Sequence, residues 1–100
     1  GQYKELLSLP KAALSVGKEM KLENGTWKVD ITITNDSDIP AYMVRLKTIG
    51  SKSGERILPV FYQDNYFSLL PGEKKIVKIH FKQEDCRGEC PAIGISGFNM

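Results

Sequence analysis

Apolar and polar residues alternate with a period of two over much of the chain, and that period points to strands before composition is weighed. From Trp27 to Thr34 the order places Trp27, Val29, Ile31 and Ile33 on one side of an extended strand and their polar neighbours on the other. In the preceding segment Leu14, Val16, Met20 and Leu22 hold even positions, with Gly17 interrupting where a bulge is expected. Glu23-Asn24-Gly25-Thr26 joins the two segments, and Asn-Gly is the strongest short hairpin signal because both residues accept the positive φ of a type I′ turn. The two strands are expected to pair antiparallel, with Trp27 as the centrepiece of the core.

Tyr42 to Thr48 alternates again, which predicts Tyr42, Val44 and Leu46 inward. It follows the turn cluster Asn35 to Pro40, in which Asp36 and Asp38 are expected to cap backbone amides. After the polar loop Gly50 to Glu55, Arg56 to Tyr62 favours extended structure, although Pro59 confines it to an edge or an irregular position. Tyr66 to Leu70 leads into Pro71-Gly72-Glu73, where proline pre-sets one dihedral and glycine supplies a positive φ. Val77, Ile79 and Phe81 then alternate with Lys78, His80 and Lys82, and the small, apolar, glycine-spaced segment Ala92 to Phe98 makes the last strand.

Leu6, Leu7, Leu9 and Leu14 are the one hint of a helical stripe, and Pro10 interrupts it. About seven short strands with regularly spaced turns predict an all-β fold, an immunoglobulin-like antiparallel β-sandwich over residues 13–100. Residues 1–12 read as a linker or interdomain segment. The cysteine pair that crosses the core of antibody domains is absent, so the label describes architecture alone.

One hundred residues suit a single domain, and 41% hydrophobic with 26% charged residues is ordinary globular composition. A net charge of +2 creates little attraction for nucleic acid. No apolar run approaches the roughly 20 residues needed to span a bilayer, and the opening Gly-Gln-Tyr-Lys-Glu lacks the order of a signal peptide.

Hydrolytic chemistry needs paired carboxylates, a metal or an activated nucleophile beside a pocket, and no such constellation is legible. Asp36 and Asp38 read as turn residues, Glu84 and Asp85 as solvating charges, and His80 as a surface histidine between two lysines. No glycine-rich phosphate loop opens a helix. Catalytic, cofactor-binding and metal-binding residues are therefore expected to be absent, and no cofactor is implied.

Cys86 and Cys90 bracket a polar loop that can close as a disulfide in an oxidising compartment, worth about 2 kcal/mol, or remain two solvated thiols. With only His80 nearby they fall short of the four ligands zinc takes. Asn24-Gly25-Thr26 and Asn35-Asp36-Ser37 fit the N-glycosylation pattern and are equally ordinary turns. Tyr62, Tyr66 and Phe67 cluster around Asp64-Asn65. Tyr62, Asp64, Asn65 and Tyr66 are candidate contacts for carbohydrate or a neighbouring domain, whereas a core role for Phe67 and one tyrosine is the plainer alternative.

The run Phe61 to Glu73, Phe-Tyr-Gln-Asp-Asn-Tyr-Phe-Ser-Leu-Leu-Pro-Gly-Glu, resembles a segment of the C-terminal Ig-like domain of glycoside hydrolase family two enzymes, of the β-mannosidase and exo-β-glucosaminidase type. Thr32-Ile33-Thr34-Asn35, Ile39-Pro40-Ala41 and Ile95-Ser96-Gly97-Phe98-Asn99 agree in order, so the resemblance covers roughly residues 13 to 100. It departs at Tyr62, where that family more often has tryptophan, and in the Cys86 to Cys90 insertion.

The resemblance implies a noncatalytic accessory domain of a bacterial, periplasmic or secreted, exo-acting hydrolase of β-linked glycans, with a mannosidase placed first. Catalysis would then belong to two glutamates on an upstream barrel, and the partners are the other domains of the same polypeptide. A carbohydrate-binding module and a cell-surface adhesion sandwich are the alternatives.

Overall fold

A computed structural model describes residues 10–100. Seven strands follow in order: β1 (Leu14–Glu23), β2 (Thr26–Asn35), β3 (Ala41–Gly50), β4 (Phe61–Tyr62), β5 (Phe67–Leu69), β6 (Lys74–Lys82) and β7 (Pro91–Ser96), with a 3₁₀ turn at Gln83–Cys86. They form an immunoglobulin-like sandwich of two antiparallel sheets, one ordered β1-β2-β6-β4 and the other β5-β3-β7.

The core lies where the alternating faces meet. Val29, Ile31 and Ile33 of β2 and Val77, Ile79 and Phe81 of β6 pack against Ala41, Val44 and Leu46 of β3 and Phe67 and Leu69 of β5. Phe81 is the largest fully buried side chain. Trp27, expected at the centre, is half-buried and packs against the margin of the core, because it stands one residue from the start of β2 beside the hairpin turn. That hairpin forms as its sequence dictates, with Asn24 at φ 49° and Gly25 at φ 78°. Gly72 at φ 75° likewise lets the Glu73 amide bond the Leu70 carbonyl at 3.0 Å.

Two expectations about strand phase fail. Gly17 carries no bulge, since β1 and β2 stay in register from Leu14 opposite Asn35 to Glu23 opposite Thr26. The register break lies in β3, between Ala41 and Val44, where Met43 takes a left-handed φ of 53°. That extra residue puts Ala41 and Val44 inward and turns Tyr42, expected inward, out to solvent. Arg56 to Tyr62 reduces to a bridge from Arg56 to Ile49 and the two residues of β4, as Pro59 within it requires. Leu6, Leu7 and Leu9, the possible helical stripe, and nearly all of the expected linker lie outside the described residues. Ala12, which follows them, is buried in the core.

Two buried asparagines fasten one end of the sandwich. Asn35, fully buried, donates through Nδ2 to the carbonyls of Ile39 (2.8 Å) and Leu69 (3.1 Å) and accepts at Oδ1 from the Ser37 amide (3.0 Å). Its own backbone bonds Glu73 and Gly72, so one residue ties β2, β5 and two turns across both sheets. Capping in this turn is therefore done by Asn35 and Ser37. Asp36 and Asp38, expected to do it, are exposed, and the buried Asn35 amide is unavailable as a glycan acceptor. Asn99 repeats the device beside it at the same end, donating to Pro40 (2.8 Å) and accepting from the Tyr42 amide (2.9 Å).

An Asn35→Ala change leaves several of these buried groups unpaired and should cost about 2–4 kcal/mol in urea unfolding. Asp36→Ala should stay within about 0.5 kcal/mol. Equal losses at the two positions would remove Asn35 from its place in the fold.

Candidate functional site

The segment from Tyr62 to Phe67 exists to complete β3. Strand β5 is three residues long and meets β3 at Ala41 and Val44 only, so the backbone of Leu46 and Thr48 continues beyond it. Asn65 supplies the missing partner for Leu46: Oδ1 accepts from its amide at 2.8 Å and Nδ2 donates to its carbonyl at 3.1 Å. A side-chain amide presents the same donor and acceptor as a peptide group, which is why asparagine can stand in for a strand residue. Tyr62 does the same one step on. Its Oη accepts from the Thr48 amide at 3.0 Å and lies 2.9 Å from the buried Thr48 Oγ1, linking β4 in one sheet to β3 in the other.

The four candidate contact residues therefore divide. Tyr62 and Asn65 are half-buried and bonded within the domain, while Asp64 and Tyr66 face outward. Asp64 accepts from the Asn65 amide at 2.8 Å and pairs with Lys75 at 2.8 Å, and Lys75 Nζ lies 5.0 Å from the centre of the Phe67 ring. The bond from Lys75, foremost, holds the Asp64 carboxyl below the usual aspartate range. Tyr66 is 59% exposed at a left-handed φ of 59°, and its ring lies 5.8 Å from the Arg45 guanidinium. Phe67 itself is core.

Elsewhere, His80 is exposed and stacks on Phe61 with ring centroids 4.9 Å apart. Cys86 and Cys90 are both free thiols; Cys86 is buried, which pushes its thiol up, and Cys90 is exposed. Between them Glu89 clamps the loop after β3, accepting from the amides of Lys52 (2.9 Å) and Ser53 (2.7 Å) and from Ser53 Oγ (2.7 Å). Sequence reading missed this clamp, since a single glutamate in a polar loop carries no signal. Among the described residues no three His, Cys, Asp or Glu side chains converge as a metal site. No described helix is long and apolar enough to cross a membrane.

A sandwich in which Asn65 and Tyr62 finish β3 is a specific arrangement, and a family described as the exo-β-D-glucosaminidase Ig-fold domain matches residues 1–100. The chain belongs to that family. An exo-β-D-glucosaminidase of Hypocrea jecorina is 37% identical over 98% of this chain and 11% of its own length. A mannosylglycoprotein endo-β-mannosidase of Lilium longiflorum is 50% identical over 44% of this chain and 4% of its own length. The crystal structure of the Amycolatopsis orientalis exo-chitosanase CsxA superposes on 94% of this chain, and 11% of that protein, with a TM-score of 0.86 at 32% identity. The chain thus spans about a tenth of the multidomain glycoside hydrolases it matches.

Lys75→Ala should move the titration midpoint of Asp64 upward, read by carboxyl NMR. Because the folded pKa is lowered, the pair contributes at neutral pH, and its contribution fades as pH falls through the folded value. A midpoint unmoved by the substitution would dissolve the pair. Asn65→Ala, which orphans both polar groups of Leu46, should cost about 1–3 kcal/mol in denaturant unfolding.

Proposed function

We propose that this Ig-fold domain is a noncatalytic accessory part of an exo-acting glycosidase that removes glucosamine units from β-linked glycans. The observation that carries the reading is the end-to-end family match combined with the small share of each relative that the chain spans. The candidate groups Tyr62 and Asn65 are spent on holding β3, and Asp64 and Tyr66 are left to touch the rest of the polypeptide.

A mannoside-cleaving parent, placed first by the sequence resemblance, is the weaker choice. The mannosidase relative matches 44% of the chain, against 98% and 94% for the glucosaminidase and the exo-chitosanase. Because glycan polymers are met outside the cytoplasm, the parent is exported. Relatives from Amycolatopsis and from Hypocrea leave bacterial and fungal sources equally open.

The test compares the complete polypeptide with the 100-residue chain. The complete protein should release aryl β-D-glucosaminide faster than aryl β-D-mannoside by about a hundredfold or more. The chain alone should release neither and should not co-sediment with insoluble chitosan. Preference for the mannoside would reverse the substrate assignment, turnover by the chain alone would end the noncatalytic reading, and retention on chitosan would favour a carbohydrate-binding module.

A further inference from the structure

Among the described residues, four other than glycine adopt a left-handed φ, and two of them sit in ordinary turns. Asn24 sits in the type I′ hairpin turn, and Arg87 ends the 3₁₀ turn in the usual left-handed cap. Met43 (φ 53°) and Tyr66 (φ 59°) are different. Each places a large side chain in a conformation that glycine would adopt without strain, and each side chain is 59% exposed, so neither repays that strain by burial in the domain. Strained non-glycine residues of this kind persist where the surrounding structure holds them, here the β3 bulge and the Asn65 side chain, and they gather at functional contacts.

The two lie in one patch. Val44 pairs with Phe67 in antiparallel fashion, so Tyr66, the residue before Phe67, falls beside Arg45, whose guanidinium lies over its ring, and Met43 is the residue on the other side of Val44. Tyr42, turned outward by the same bulge and 46% exposed, accepts at its carbonyl from the amide of Phe98, itself 57% exposed. Tyr42, Met43, Tyr66 and Phe98 thus form an apolar surface on the outer side of the β5-β3-β7 sheet. Arg45 stands within it, with no ion-pair partner among the described residues. Exposed aromatic and methionine side chains around an unpaired arginine have the composition of an interface centre.

We propose that this bulge-centred patch is the surface by which the domain docks onto another domain of its own polypeptide, at an apolar area that carries a carboxylate to receive Arg45. The proposal rests on the accessory-domain reading, and the occupant follows from two observations. Relatives of this chain devote about nine-tenths of their length to other segments, since the match covers 11% of the Hypocrea protein and 11% of CsxA. The unpaired arginine calls for an acidic partner, and an identical copy would instead bring a second Arg45 to the patch.

Hydroxyl-radical footprinting with mass-spectrometric readout should find Tyr42, Met43, Tyr66 and Phe98 oxidised at least fivefold more slowly in the complete polypeptide than in the 100-residue chain. Met43→Gly should raise the thermal midpoint of the 100-residue chain by about 4 °C, because it releases a left-handed strain that no internal contact offsets. In the complete polypeptide Arg45→Glu should abolish the protection. Equal oxidation in the two forms, a midpoint lowered by Met43→Gly, or self-association of the isolated chain that shields the same residues would each overturn the proposal. A reading frame that encodes no further domain would instead overturn the accessory-domain reading on which it rests.

Discussion

Every backbone amide and carbonyl taken into the interior must find a partner, and in this domain the strands are too short to supply them all. Strand β5 leaves β3 after Val44, β2 ends at Asn35, and the chain returns past β7 at Asn99. At each of these places a side chain with the bonding pattern of a peptide group closes the gap: Asn65 for Leu46, Asn35 for Ile39 and Leu69, Asn99 for Pro40 and Tyr42. The buried side-chain polar atoms of the described residues are accordingly all satisfied. The hydrophobic faces bring the sheets together, and the asparagines fix how the ends are tied.

Periodicity made the centre of the fold legible. The strict alternation of β2 and β6 gave their buried faces correctly, and Asn24-Gly25 and Pro71-Gly72 gave their turns. What stayed hidden is whatever lacks a period. Nothing distinguishes Met43 from its neighbours as a bulge residue, and a glycine at 17 was the more natural suspect, so the phase at Tyr42 came out reversed. Trp27 was misplaced because alternation tells which face a residue occupies but not how near it stands to the end of the strand.

The candidate site was half legible for a related reason. Clustering of Tyr62, Asp64, Asn65 and Tyr66 singled out the segment that bonds β3, and the resemblance of Phe61 to Glu73 marked the right family. Side-chain bonds to distant backbone leave no trace in the local pattern, so the division between the inward pair, Tyr62 and Asn65, and the outward pair, Asp64 and Tyr66, required the fold. The Glu89 clamp on Lys52 and Ser53 was invisible on the same ground, being 36 and 37 residues away in sequence.

The bonds of Asn65 also bear on its neighbour. Because Oδ1 of Asn65 takes the amide of Tyr66 at 3.0 Å while the same side chain is held on Leu46, the ring of Tyr66 projects from a backbone already fixed in place. Immobilising a loop on contact consumes part of the free energy that contact releases. Here that ordering is complete before any neighbour arrives, so a modest apolar area around Tyr66 yields more net adhesion than the same ring would on a floppy loop.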